Sequence, residues 1–572
     1  MRLPSIIAPS LSGYQARWLS KDLVAGLVLS ALLVPQGMAY AELAGLPPVT
    51  GLYTSMLCLI GYAILGPSKI LVLGPDSSLG PMIAATILPL VAADGDPARA
   101  VLLASCLAIL TGALMIVAGI GKLGFVADLL SKPTILGYMN GLALTIIVGQ
   151  LPKFLGFSVD ADTFLGDVAG VVQGIVNGEV VAAAALVGTI TLITILVLTR
   201  WLPKVPAVLV AVVLAIVISI AFDLAAKGVK VVGPLPEGLP SFTLPVVGLT
   251  DLGILIVGAF GIALVALTDT ISTATSFADR QGELVDGNRE MIGIGASNVA
   301  AGLFQGFPVS TSGSRTAVAE QSGSKTQLTG VVGAIMIGLM LVFFPSLLAD
   351  LPQPALGALV IAAALSLADV AGVRHLYRRR RAEFWLSMAA FLGVALLGVL
   401  PGIVIAIALS VGNVFRRIWM PYRTTLGKVD GIPGLHDVSN YPQAHVLPGC
   451  PVYRFDAPLI FANTGTFRNE IHRLAAADPR PTWIVIAAEP VTDIDTTACD
   501  MLEDLVPELE ARGTHLVFAE LKDPVRAKLV AYGLLDYMTA DHFYPTISAA
   551  TAAFQAAHHV EWAPPSAADE SH

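Results

Sequence analysis

From Lys21 to Arg417 the chain alternates between long apolar runs and short polar breaks. Runs of about 17–25 apolar residues are each long enough to cross a bilayer as a helix. They fall near 23–44, 50–66, 71–91, 98–121, 124–151, 178–200 and 205–223, then near 250–278, 289–306, 308–323, 326–348, 353–370, 383–400 and 402–415. The pattern predicts a polytopic α-helical membrane protein with 14 spans, seven in each half. Two runs differ from the rest. LGPDSSLGPMIAATILPL (73–90) and FQGFPVSTSGSRTAVAEQSGSKTQLTG (304–330) are crowded with Gly, Pro and hydroxyl residues. Backbone of this kind at membrane depth needs partners inside the protein. Gly/Pro-interrupted apolar segments, one in each half, are the mark of a transporter's central site. A helix is expected to start at Pro75–Ser78 in the first and near Pro308 in the second, each turning its N-terminal amides toward an anion.

Beyond Arg417 the period changes. Residues 420–450 read as a polar connector with several Pro and Gly. PVYRFDAPLIFANTG, TWIVIAAEP and HLVFAEL then read as strands, with FRNEIHRLAAA, TACDMLEDLVPELEARG, VRAKLVAYGLL and ISAATAAFQAA as helices between and after them. That alternation predicts a small soluble α/β domain of about 110 residues. The last dozen residues, rich in Pro, Ser and acids, suit a disordered tail. The expected division is a cytoplasmic N-terminal segment 1–20, a transport domain 21–418, a connector 419–445, an α/β domain 446–560 and a tail 561–572.

Composition agrees. Hydrophobic residues make up 55% and charged residues 13%, against roughly 25% charged in an average soluble protein. Lys and Arg sort mainly to one set of loops: Arg17, Lys21, Lys69, Lys122, Arg200, Lys204, Arg280, Lys325, Arg374, Arg378–Arg381, Arg416 and Arg417. The opposite loops hold Asp94, Asp96, Asp160, Asp162 and Asp350, with scattered basic residues such as Arg99 and Lys153. This bias puts both termini in the cytoplasm of a plasma-membrane protein. Beside a span, Arg378–Arg381 reads as a topology determinant rather than a nucleic-acid patch. The N-terminus carries no signal-peptide pattern, and the four cysteines have neither metal-ligand nor disulfide spacing. No phosphate-binding loop, metal spacing or catalytic triad is present, so neither an enzyme nor an ATP-driven pump is expected and no cofactor is implied.

Candidate chemistry concentrates in a few polar residues at membrane depth. Asp269, well inside its span, is a functional-site candidate by position alone. Thr273 shares its helix face at i+4. The pair could bind a small cation such as sodium, or Asp269 alone could carry a proton; a packing acid paired internally is the structural alternative. Pro35 is expected to break the first span and bring the amide of Gln36 into the gap, with Tyr40 one turn on. Asp76, Ser77 and Ser78 sit where a helix would start, as caps or as part of an anion site. Arg315, a lone guanidinium at membrane depth, is expected to face an anion, or else to pair with Asp269 or Asp76.

PQGMAYAELAGLPPVTGLY, LGPDSS, the GNREMIGIGASNVAAGLFQGFPVSTSGSRTAVAEQSGSKTQLTG block and the C-terminal α/β domain together resemble the SulP family of anion transporters, most of all its actinobacterial sulfate permeases. The resemblance covers nearly the whole chain. It implies that the spans form a 7+7 inverted repeat, divided into core and gate domains. It also implies a cytoplasmic STAS domain (the domain of sulfate transporters and anti-sigma-factor antagonists) and a homodimer. Carried over, Gln36, Tyr40, Ser314 and Arg315 match anion-site positions, and Asp269 and Thr273 match coupling-ion positions. Asp76 stands where the family commonly has an aromatic residue. The turn phosphorylated in anti-sigma antagonists is here Asp495, Thr496, Thr497, Ala498. The expected function is secondary active transport of an inorganic anion, sulfate first, coupled to a cation, the proton ahead of sodium. Bicarbonate, a C4-dicarboxylate, or an uncoupled channel or exchanger are the alternatives.

Overall fold

The computed structural model describes residues 8–11, 14–91, 95–124, 131–159, 161, 163–202, 205–281 and 285–562, without the side chains of 280 and 281. Asp94, Asp160, Asp162, Lys204 and tail residues 563–572 lie outside them. The chain divides into two units, Met1–Val411 and Gly412–His572.

In the first half the apolar runs fold into α1 (Leu19–Leu43), α2 (Pro48–Leu65), α3 (Gly80–Ile87), α4 (Pro97–Ile120), α5 (Lys132–Leu155), α6 (Phe164–Val176), α7 (Ala182–Trp201) and α8 (Ala207–Ala221). The second half supplies α9 (Leu249–Gln281), α10 (Gly287–Leu303), α11 (Gly313–Gln321), α12 (Leu328–Phe343), α13 (Gln353–Leu367), α14 (Val370–Arg379), α15 (Arg381–Leu397) and α16 (Val399–Trp419). Among the described residues, eight helices are long and apolar enough to cross a membrane, and four more are apolar but shorter. The short helix α6 belongs to none of the expected spans.

Local chemistry explains the boundaries. Asp96 caps α4 by accepting from the Ala98 amide at 2.9 Å, and Gly156 ends α5 in the left-handed region at φ 91°. Close helix crossings use small residues, as inside a bilayer they must. Gly37 and Gly51 bring α1 and α2 into backbone contact: a Cβ on Gly51 would lie 1.9 Å from the Gly37 carbonyl oxygen. Asp22, fully buried, binds α1 to the start of α12, accepting from the Lys325 amide at 2.7 Å and the Thr326 hydroxyl at 2.8 Å. Glu290 is also buried; its carboxylate accepts from Tyr62 at 2.6 Å and from Ser68.

The two interrupted segments meet. Leu73–Gly74 (β1) pairs antiparallel with Ser310–Thr311 (β2), Leu73 opposite Thr311 and Gly74 opposite Ser310. The Ser312 amide extends the ladder to the Val72 carbonyl at 3.1 Å, and the Val72 amide donates to Thr316 Oγ1 at 3.1 Å. Each broken stretch thus supplies the hydrogen-bond partners that lipid cannot. Both helix starts differ from expectation. In the first segment Asp76 turns the chain, its Oδ1 accepting from the Ser78 amide at 2.9 Å, and α3 begins only at Gly80. In the second, Pro308 lies in the extended lead-in to β2, and α11 begins at Gly313 behind the Ser312 cap. Nor does Pro35 break α1, which runs through it to Leu43.

The second unit holds a six-stranded sheet in the order β4-β3-β5-β6-β7-β8. Its strands are β3 (Arg423–Val429), β4 (Ile432–Asp437), β5 (Val452–Phe455), β6 (Trp483–Ala487), β7 (His515–Ala519) and β8 (Phe543–Tyr544). β5 to β8 are parallel, and β3 is antiparallel to β4 and β5. The helices α17 (Thr464–Ala475), α18 (Thr496–Ala511), α19 (Asp523–Ala531) and α20 (Ile547–His558) complete it. The expected connector 419–445 is therefore not a linker: it carries the β3–β4 hairpin. Trp562, at the start of the expected tail, donates to the His445 carbonyl at 2.7 Å.

Candidate functional site

The β1–β2 crossing opens onto a cavity of about 550 Å³. Gln36 and Tyr40 reach it from α1, Asp76 and Ser77 from the turn before α3, and Asp269, Ser272 and Thr273 from α9. Thr311, Ser312, Gly313 and Ser314 line it from β2 and the first turn of α11. Facing them are mostly apolar residues of α7, α8 and α13, with Thr199 and Ser366 the polar exceptions. The sequence reading passed over Ser272, Thr199 and Ser366. Thr199 and Ser366 are each a lone hydroxyl in an apolar run, and Ser272 is one of several hydroxyls around Asp269; such groups commonly bond back to their own helix, as Ser366 does to the Ala363 carbonyl at 2.6 Å.

Ser78 and Arg315 do not line the cavity. They lie one layer behind it, both about 1% exposed. Arg315 Nη1 donates to the Pro75 carbonyl at 2.6 Å, and Nη2 stands 3.6 Å from Asp76 Oδ2. Its Nε and Nη2 make no hydrogen bond among the described residues. Of the two placements weighed for Arg315, the geometry is that of the ion pair with Asp76. The guanidinium acts on the cavity through the loop in front of it.

Ser78 Oγ lies between two carboxylates, 2.7 Å from Asp76 Oδ1 and 3.2 Å from Asp269 Oδ2. A hydroxyl has one proton to give. Asp76 Oδ1 already accepts from the Ser78 amide, and the shorter hydroxyl contact points the same way. The contact to Asp269 is then favourable only with a positive centre, a proton or a cation, on the Asp269 side.

The sheet of the second unit carries the Asp495 turn as the cap of α18. Its Oδ1 accepts from the Ala498 amide at 2.9 Å and its Oδ2 from the Phe461 amide at 2.7 Å. Thr496, next to it, is exposed.

The model of the sulfate permease family matches residues 19–390, and the STAS domain model matches residues 441–550. A protein named as a probable sulfate transporter in Mycobacterium tuberculosis is 42% identical over 543 residues, covering 95% of this chain and 96% of that one. The chain belongs to the sulfate permease family. Sulfate transporter 1.3 of Arabidopsis thaliana is 29% identical, covering 94% of this chain and 85% of its own. Among solved structures, the murine Solute Carrier 26 family member A9 anion transporter, inward-facing, superposes with a TM-score of 0.88 at 23% identity, covering 96% and 94% of the two chains. The transmembrane domain of a cyanobacterium bicarbonate transporter gives 0.60 at 25% identity, covering 68% of this chain and 98% of that one. A sulfate permease family member with this fold is a multi-pass anion transporter carrying a STAS domain, not an enzyme.

Proposed function

We propose that this transporter takes up sulfate together with a cation, the proton ahead of sodium, and that Gln36, Tyr40, Ser77, Ser314 and the α11 amides hold the anion. The observation that carries the reading is the Ser78 hydroxyl held between Asp76 and Asp269 beside Arg315. The start of α3 and the start of α11 each add about half a positive charge. The charge of Arg315 is matched by Asp76, so a dianion meets a net deficit if Asp269 is ionised. Neutralising Asp269 halves it, leaving about one positive charge to face the dianion. Entry of a dianion against an inside-negative potential also calls for co-transported positive charge. The working unit in this proposal is a homodimer in the plasma membrane with cytoplasmic termini. Its fourteen-span transport domain, residues 21–418, moves by a rocking or elevator-like shift of core against gate.

A second reading is bicarbonate with sodium. It is favoured by Asp269 and Thr273 both reaching the cavity and by the likeness to the bicarbonate transporter's membrane domain. Radiolabelled sulfate uptake into proteoliposomes separates the two, with bicarbonate and succinate as competitors and the pH and sodium gradients set independently. Sulfate accumulation driven by an inward proton gradient without sodium supports the first reading. Uptake that needs sodium, with bicarbonate the better competitor, supports the second.

A further inference from the structure

The sheet of the second unit gathers three metal-ligating side chains that transport does not use. Glu510 lies in the last turn of α18, His515 opens β7, and His542 ends the 3₁₀ turn just before β8. Each offers one ligand atom, and the three atoms lie within 4.8 Å of one another. His542 is buried, and its Nδ1 donates to the Leu516 carbonyl at 2.6 Å, which fixes the ring and leaves Nε2 to ligate. That ring packs on His515 at a centroid distance of 4.2 Å. His515 Nδ1 is 2.5 Å from Glu510 Oε1. Its other nitrogen faces Asp541, with the carbonyl at 3.4 Å and the carboxylate at 4.0 Å. An imidazole with one nitrogen toward a ligand cluster and the other toward a carbonyl or carboxylate is the usual arrangement of a metal-bound histidine.

We propose that Glu510 Oε1, His515 Nδ1 and His542 Nε2 form a zinc site, with Asp541 as the outer partner of His515. Two imidazoles and a carboxylate suit a borderline divalent cation, and three protein ligands leave a fourth position for water. Tetrahedral zinc with bonds of about 2.0–2.1 Å holds its donors about 3.3 Å apart. The Glu510–His515 contact therefore opens by less than about 1 Å as the metal replaces the shared proton. Glu510 has room for that shift, its side chain being 44% exposed. The ligand spacing, five positions from Glu510 to His515 and 27 from His515 to His542, matches no familiar zinc motif, so only the fold reveals the group.

The test uses the tag-free, full-length protein in detergent, stripped with a chelator and titrated with Co²⁺, then with Zn²⁺. One equivalent of Co²⁺ per chain, seen by visible absorption and displaced by zinc, is expected. Glu510→Gln and His542→Gln should each weaken binding at least about 10-fold. Glu510→Gln is the variant that keeps the test decisive if the buried His542 substitution unfolds. Zinc should raise the melting temperature of the wild type but not of Glu510→Gln. His472→Gln, which alters a ring paired with Glu508 at 3.6 Å, should bind like the wild type. No stoichiometric uptake, or uptake undiminished in folded Glu510→Gln, overturns the site.

Discussion

Asp269, Ser78 and Asp76 share one hydroxyl proton, and the charge on Asp269 decides what the cavity can accept. Asp269→Asn imitates the neutral acid. In proteoliposomes it should still bind sulfate, at wild-type affinity or better, yet lose accumulation driven by an imposed gradient; full gradient-driven uptake would reduce Asp269 to a packing residue. Arg315 acts differently. It is buried against Asp76 rather than facing the cavity, so Arg315→Ala leaves a carboxylate without its partner, which typically costs about 3–5 kcal/mol. Arg315→Ala/Asp76→Ala should recover most of that loss in thermal midpoint. A double variant no more stable than the single one would show that the pair is not what holds the loop. Seven of the nine site residues read from the sequence, all but Ser78 and Arg315, line one cavity. The exceptions follow from helix phase. Successive residues on a helix point about 100° apart, so adjacent Ser314 and Arg315 could not both face an anion. The sequence left the start of α11 five residues too early, and the phase with it.

At the scale of elements, apolar periodicity located the long helices because bilayer thickness sets their length. It said less where hydrogen bonding rather than burial fixes the structure. β1 and β2 are two residues each and exist only as a pair, so no local pattern announces them. β3 reads RTTLGKV, too polar to look like a strand, although the Asp430-Gly431 turn that follows is a hairpin signal. Asp437, at the end of β4, ties that hairpin together: it accepts from Thr424 and Tyr422 and from the Ser439 amide at 2.7 Å. These bonds hold its carboxyl at about 2, below the ordinary carboxylate value. With the folded value depressed, the stabilisation is full above about pH 4 and fades as pH falls toward 2. Asp437→Asn should thus lower the unfolding midpoint of the second unit at pH 6, with the gap to wild type closing between pH 4 and 2. A pH-independent gap, followed by tryptophan fluorescence, would assign the effect to packing instead.

For the whole molecule, the two units call for different boundaries from those the composition suggests. A truncation at residue 440 would keep the β3–β4 hairpin while removing β5, exposing the β3 edge that pairs with it. Ending the chain at Trp419 should give a monodisperse protein with unchanged anion selectivity, whereas ending it at 440 should give aggregates on size exclusion. Altered selectivity in a well-folded Trp419 truncation would require the STAS domain to shape the site. The β1–β2 pairing has a further consequence, for biosynthesis. The guanidinium of Arg315 and the carbonyl it holds are 240 positions apart in the chain. At the usual rate of about 5–20 residues per second, the ribosome needs roughly 10 to 50 s to supply the second partner after the first. During that interval the nascent first half carries a strand edge and an acidic turn that nothing yet covers. It must wait beside the insertion machinery until its counterpart emerges.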